Sequence, residues 1–212
     1  MLRKLAYALG VCIGAVTLGY AAAGGDRFST ELVEVDIGAG YLIPRNYIVN
    51  IAPDAEDPEL VTMRALWPGL EPLTEENTYL WKRRIPERQI HIAILERPRD
   101  GYRALQGAIE VGALPETPKP GPFGLSVFQR RLQRMFASAD PVHKTPGGEP
   151  LVLMCNDVLP QTYPNFDAEI ICIVQYPMSD ASGLYYRFFM DNLENWRDID
   201  TAVRSLVDSF KR

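Results

Sequence analysis

Histidine is nearly absent from this chain of 212 residues: there are two, His91 and His143, beside three cysteines. No His/Cys spacing resembles a zinc motif and no calcium loop occurs, so the sequence gives no reason to expect a metal or a cofactor. The glycines do not make a nucleotide cradle either. Gly38-Ala39-Gly40 lacks a third glycine, Ile43 standing in its place, and it leads into an extended stretch rather than a helix, which argues against a dinucleotide fingerprint. A Gly-x-Ser-x-Gly elbow is missing. Ser138, Asp140 and His143 supply triad residue types, but closeness in sequence is not triad geometry. Positive charge is also short. The net charge is −5, and setting aside Arg3 and Lys4 leaves −7 after residue 23, the sign opposite to that of a general nucleic-acid or anionic-membrane binder.

Hydrophobic residues make up 47% and charged ones 23%, which places the chain with proteins that bury a core rather than with disordered ones. Arg3 and Lys4 precede an uncharged run from Leu5 to Ala23, and the next charges are Asp26, Arg27 and Glu31. Basic start, apolar stretch and small-residue end at Ala21-Ala22-Ala23 are the parts of a secretory signal with an Ala-x-Ala cleavage site. The same run approaches the ~20 residues that span a bilayer. Gly10 and Gly14 have the spacing of packed membrane helices, so an uncleaved anchor is the rival. A lipoprotein site at Cys12 is disfavoured by the bulk of Val11 before it. Residues 1–23 are therefore read as signal peptide or membrane anchor, and residues 24–212 as one domain in the periplasm. That domain is either soluble or tethered to the inner membrane by residues 5–23.

The expected fold is α+β: a mainly antiparallel sheet with a C-terminal amphipathic helix packed on it, preceded by the N-terminal apolar helix. Val33, Val35 and Ile37 alternate with Glu34 and Asp36 as in a half-buried strand, and Gly38 to Gly40 turn the chain into a second extended stretch, Tyr41 to Ile51, interrupted by Pro44. Further strands are predicted over Leu60 to Trp67, Gln89 to Leu95, Gly124 to Arg130, Leu151 to Cys155, Glu169 to Val174 and Leu184 to Met190. His91 falls opposite Ile90, Ile92 and Ile94, as a solvent-facing or hydrogen-bonded strand residue. Four prolines between Pro115 and Pro122 exclude a regular element there and mark a connection between two halves. Leu193, Trp196, Ile199, Val203, Leu206, Val207 and Phe210 recur at helical spacing, with Arg197, Asp200, Arg204 and Asp208 elsewhere on the helix. Asp191 and Glu194 give it a start like a capping box.

Beyond the N-terminal segment there are two cysteines, Cys155 and Cys172, each on a predicted strand, with turn residues between them. Antiparallel pairing centred near Tyr163 and Pro164 sets them opposite one another, and a disulfide is expected in an oxidising compartment. Two reduced, buried thiols are the alternative.

Cys155, Cys172, Gly183-Leu184-Tyr185, Arg187-Phe188, Trp196-Arg197, Ile199-Asp200 and Ser209-Phe210 together resemble a set of small, mostly uncharacterised exported proteins of Gram-negative bacteria. Those proteins carry one cysteine on each of two strands and a closing helix with a tryptophan. The resemblance covers about sixty residues of the C-terminal half and implies architecture, with no activity attached.

Two features mark a possible partner surface. Trp81, Lys82, Arg83, Arg84 and Arg88 form a basic, aromatic stretch in an otherwise acidic domain. Trp67, Tyr163 and Phe166 place large apolar groups in turn-rich segments, where a rigid scaffold can present them as anchors. The reading is a noncatalytic protein-binding domain, such as an accessory subunit of an envelope complex or a protein that neutralises a periplasmic toxin. A small cell-envelope hydrolase using paired carboxylates is the contrasting reading, since an acidic domain offers candidates whose separation a sequence does not reveal.

Overall fold

The computed structural model describes residues 27–51, 60–82, 88–96, 99–130, 133–156 and 170–212. Residues 1–23, expected to be a signal peptide or anchor, lie outside them. Among the described residues, no helix is long and apolar enough to cross a membrane.

Alternation builds most of the architecture. β1 (Leu32–Asp36) and β2 (Gly40–Pro44) form a two-stranded antiparallel hairpin, with Val33 opposite Ile43 and Val35 opposite Tyr41. Gly38, at the turn, has φ +63° and lies against the Ala181 carbonyl, where a Cβ would overlap the oxygen. The expected extended stretch from Tyr41 to Ile51 is divided. After Pro44, residues Arg45–Tyr47 form a 3-10 turn, and β3 (Ile48–Ile51) leaves the hairpin to become an edge strand of a larger sheet.

The larger sheet also contains β4 (Leu60–Leu66), β5 (Gln89–Leu95), β6 (Lys119–Pro120), β7 (Leu125–Arg130), β8 (Gln133–Ser138), β9 (Val152–Asn156), β10 (Ile171–Pro177) and β11 (Gly183–Phe189). Its nine strands lie in the order β3-β4-β5-β11-β10-β9-β8-β7-β6, every neighbouring pair antiparallel. The proline-rich stretch corrects the expectation of no regular element, because Lys119 and Pro120 pair with Val127 and Ser126. Proline is tolerated there because β6 is the outermost strand.

One face of this sheet is apolar from strand to strand. Met63, Ile92, Tyr186, Val174, Leu153 and Phe136 stand side by side in register across β4, β5, β11, β10, β9 and β8, all buried. Against them pack the hairpin and α3 (Trp196–Ser209), through Ile199, Val203 and Val207. The helix entry differs from expectation. Residues Met190–Asn195 form a 3-10 segment, and Asn195 precedes α3 without a side-chain cap, so Asp191 and Glu194 do not open the α-helix. After the helix, Leu42 N–H bonds the Phe210 carbonyl and Arg212 N–H bonds the Gly40 carbonyl, tying the C-terminus to β2.

On the opposite face the next row reads Arg64, His91, Arg187, Ile173, Met154 and Met135, basic at one end and apolar at the other. A helix not foreseen in the sequence, α2 (Gly101–Glu110), covers the apolar end through Tyr102, Leu105, Ala108 and Ile109. Asp100 caps it by accepting from the backbone N–H groups of Tyr102 and Arg103. Over β4, β5 and β11, the side chains of Thr62, Arg64, His91, Tyr185 and Arg187 stay half-buried.

Cys155 and Cys172 are joined by a disulfide, as directly opposed residues of β9 and β10 with Cα atoms 4.1 Å apart. Both sit fully buried in the main core.

Candidate functional site

Trp81 lies on a short helix, α1 (Thr78–Lys82), whose position is set by the turn before it. Thr74 N–H donates to Asn77 Oδ1 at 2.8 Å, Asn77 N–H donates to Thr74 Oγ1, and Asn77 Nδ2 donates to the Pro72 carbonyl. Asn77 Oδ1 also accepts from the Trp81 indole N–H at 3.0 Å, which fixes the ring. The Arg64 guanidinium, from β4, sits 5.3 Å from the ring centroid in a cation–π arrangement. Trp81 and Arg64 line a cavity of about 340 Å³ with Arg27, Asn46, Tyr47, Ile48, Val49, Leu73 and Thr78. It opens beside edge strand β3, where Val49 is exposed and the β3–β4 register shifts between Ile48 and Asn50.

Arg64 is also the first residue of the basic row. Its Nε is shut off from solvent without a hydrogen-bond acceptor, and among the described residues no carboxylate pairs with it. Burial, then the neighbouring Arg187, press its pKa below the ordinary value. His91 lies between the two arginines and receives a long hydrogen bond from Arg187 Nη2 to Nδ1, at 3.4 Å. Burial, Arg64 and Arg187 lower its pKa from 6.5 to about 4. The unfolded chain therefore binds more protons than the folded one between those values, and stability falls as pH drops through that window. The full shift corresponds to ~3 kcal/mol, reduced to about 1–2 kcal/mol because the ring is partly exposed. Replacing His91 with asparagine is expected to flatten the stability profile between pH 6.5 and about 4, read by urea unfolding across that range. An unchanged slope would assign the acid sensitivity to other groups.

The other residues of the expected partner surface separate. Trp67 packs against the main core, and its backbone N–H donates to the Arg88 carbonyl. Arg88 Nε donates in return to the Trp67 carbonyl at 3.2 Å, so this pair braces the loop. Lys82 closes α1. Arg83, Arg84, Tyr163 and Phe166 lie outside the described residues.

A second polar centre was not legible in the sequence. Asp200, assigned to the polar side of the last helix, is completely buried. Its Oδ1 accepts from the hydroxyls of Tyr176 and Tyr186, each at 2.8 Å. Its Oδ2 lies 2.8 Å from His143 Nε2 and 2.6 Å from Arg204 Nη2, the arginine contact being an ion pair without hydrogen-bond alignment. Arg204 Nε also donates to Tyr176 Oη at 2.9 Å. Burial first, then Asp200, push both tyrosine pKa values up, so the hydroxyls stay protonated donors.

This geometry answers the triad question for these residues. The His143 ring pairs with Asp200 and meets Trp196 edge-on, whereas Ser138 Oγ donates to the His143 backbone carbonyl at 3.5 Å and accepts from the Asp140 backbone N–H at 3.1 Å. Asp140 instead accepts from the N–H groups of Val142 and His143 and from Arg197 Nε. Those hydrogen bonds hold its carboxyl below the usual range.

Asp200 and Asp208 do share a depression of about 260 Å³ beside α3. Asp200 is already engaged by Tyr176, Tyr186, His143 and Arg204. Asp208 is also engaged by Lys211 Nζ at 2.6 Å, so the depression supplies no pair of free carboxylates. Among the described residues, no cluster of three or more His, Cys, Asp or Glu forms a metal site.

No family model matches the chain, and no curated protein matches it. Two solved structures share the fold. An immunity protein of the Stenotrophomonas maltophilia type IV secretion system superposes with a TM-score of 0.59 at 15% identity, over 87% of this chain and 94% of that one. The Neisseria meningitidis iron-regulated outer membrane lipoprotein FrpD superposes with a TM-score of 0.54 at 13% identity, over the same shares.

Proposed function

We propose that this chain is an exported, noncatalytic protein-binding domain of the cell envelope, soluble in the periplasm or tethered by residues 5–23. We place its partner contact at the Arg64–Trp81 pocket. The observation that carries the reading is the pocket itself: an aromatic ring fixed by Asn77, stacked on an arginine whose Nε has no acceptor, beside an edge strand. Arginine and tryptophan in a partly desolvated recess are the residue types that dominate protein–protein binding energy. Folds shared with an immunity protein and an envelope lipoprotein support the class. Neutralising a toxin and serving as an accessory subunit are the two forms this binding takes in our reading. The basic start, apolar run and Ala21-Ala22-Ala23 end of the N-terminal segment support the compartment.

Affinity capture of the tagged chain from envelope fractions tests this directly. A specific protein should co-purify with the wild type and be reduced at least about tenfold with Trp81→Ala, the loss that truncating one hot-spot residue produces. Unchanged recovery with Trp81→Ala would move the contact elsewhere. Recovery of no specific protein across detergents would remove the reading.

A further inference from the structure

We infer that the Arg64–Trp81 pocket is an anion-recognition site whose occupant is a carboxylate side chain of the protein partner. This rests on the protein-binding reading for the source of the carboxylate, and on the pocket alone for its chemistry.

Arginine inside a protein ordinarily finds a carboxylate or carbonyl acceptor, because leaving a buried donor unpaired costs more than a typical hydrogen bond returns. Arg64 Nε has none, and no described carboxylate pairs with the side chain. The neighbourhood adds cations instead. Arg27 lines the same cavity, and Arg187 lies two strands away in the same row, with His91 between. Among the described residues, the field of Glu71 reaches the Tyr47 hydroxyl, but Arg187 is the charged group that acts on Arg64. The described part of the fold thus gathers positive charge at this point and pairs no carboxylate with Arg64.

Shape then selects the anion. With the guanidinium carbon 5.3 Å from the Trp81 ring centroid and Nε shut off from solvent, the two Nη groups are the donors that can make the two parallel bonds matching a planar carboxylate. Ile48, Val49 and Leu73 give the cavity apolar walls against which the methylene stem of an acidic side chain packs. A tetrahedral phosphate has no such stem and would leave those walls without a partner.

The test uses the purified full-length chain in neutral detergent, with the Arg Nε–H and Trp indole N–H groups followed by NMR. Tetraglutamate should shift the Arg64 and Trp81 signals saturably, while tetraglutamine should not. Arg64→Gln should weaken tetraglutamate binding by about tenfold or more, the usual consequence of losing a charge-assisted bidentate pair. If that variant does not fold, the wild type decides alone, because added salt must weaken the tetraglutamate effect. No shift, an equal shift with tetraglutamine, or a response to inorganic phosphate without one to tetraglutamate would overturn the inference. Co-purification that depends on Trp81 without a tetraglutamate effect removes the carboxylate but keeps the protein partner. A tetraglutamate effect without a co-purifying protein supports the anion site and removes the partner reading.

Discussion

Replacing Asp200 with alanine should destabilise the protein by about 3–5 kcal/mol, the cost of removing one member of a buried charge network. The carboxylate is fully buried and organises four side chains from three parts of the chain: Tyr176 and Tyr186 on strands, His143 in a loop and Arg204 on its own helix. Its loss strands two hydroxyl donors and leaves the partly buried Arg204 without its counter-charge. Urea unfolding should show a lower midpoint with an unchanged slope, the sign of lost stability without a changed denatured state. A shift under about 1 kcal/mol would mean that water or rearrangement satisfies these donors, and the network would then be peripheral to the fold.

The second large effect concerns the disulfide. Cys155 and Cys172 are separated by 17 positions, and closing a loop of that length removes about 3 kcal/mol of unfolded-chain entropy. The double replacement by alanine is expected to lower stability by about that amount, within the usual 2–5 kcal/mol, and to leave partner capture in place. The bridge lies in the core under α3, whereas the Arg64–Trp81 pocket opens beside β3. Thiol labelling of denatured, unreduced protein should leave both cysteines unmodified. Labelling of both in protein recovered from the envelope would show that the bridge does not form there.

These two sites differ in how far the sequence announced them. The cysteine pair was legible because each residue sits in an apolar strand pattern with turn residues between, so local information fixed an antiparallel register. The last helix was legible for the same reason, its apolar residues recurring at 3.6-residue spacing. Asp200 was not, because helical periodicity describes one element and its partners lie up to 57 positions away. β8 was missed because Met135, Phe136, Ala137 and Ser138 are buried in succession, covered on both faces, and so lack the alternation that marks a half-exposed strand. α2 left a readable signal in Asp100 followed by Tyr102, Leu105 and Ile109, a cap and an apolar stripe close to the proline-rich stretch.

The partner surface was partly legible. A tryptophan in a basic stretch pointed to Trp81, but composition did not separate it from Trp67, which packs on the core beside Arg88. Arg64 escaped because a single arginine in a strand becomes notable only when the fold removes every acceptor from its Nε and sets it over an aromatic ring. Its row across β4, β5 and β11 exists only in the register of the sheet.

The most direct measurement is site-specific photo-crosslinking in the envelope, with a photoreactive phenylalanine analogue placed at Val49 or at Val142. Val49 is 54% exposed and lines the pocket, so the probe there leaves Trp81 and Arg64 in place. Val142 is 89% exposed and lies by α3, across the sheet from the basic row. Protein binding at the Arg64–Trp81 pocket requires a discrete adduct to one protein from position 49 and none to that protein from position 142. No adduct from position 49, or the same adduct from both positions, would contradict it.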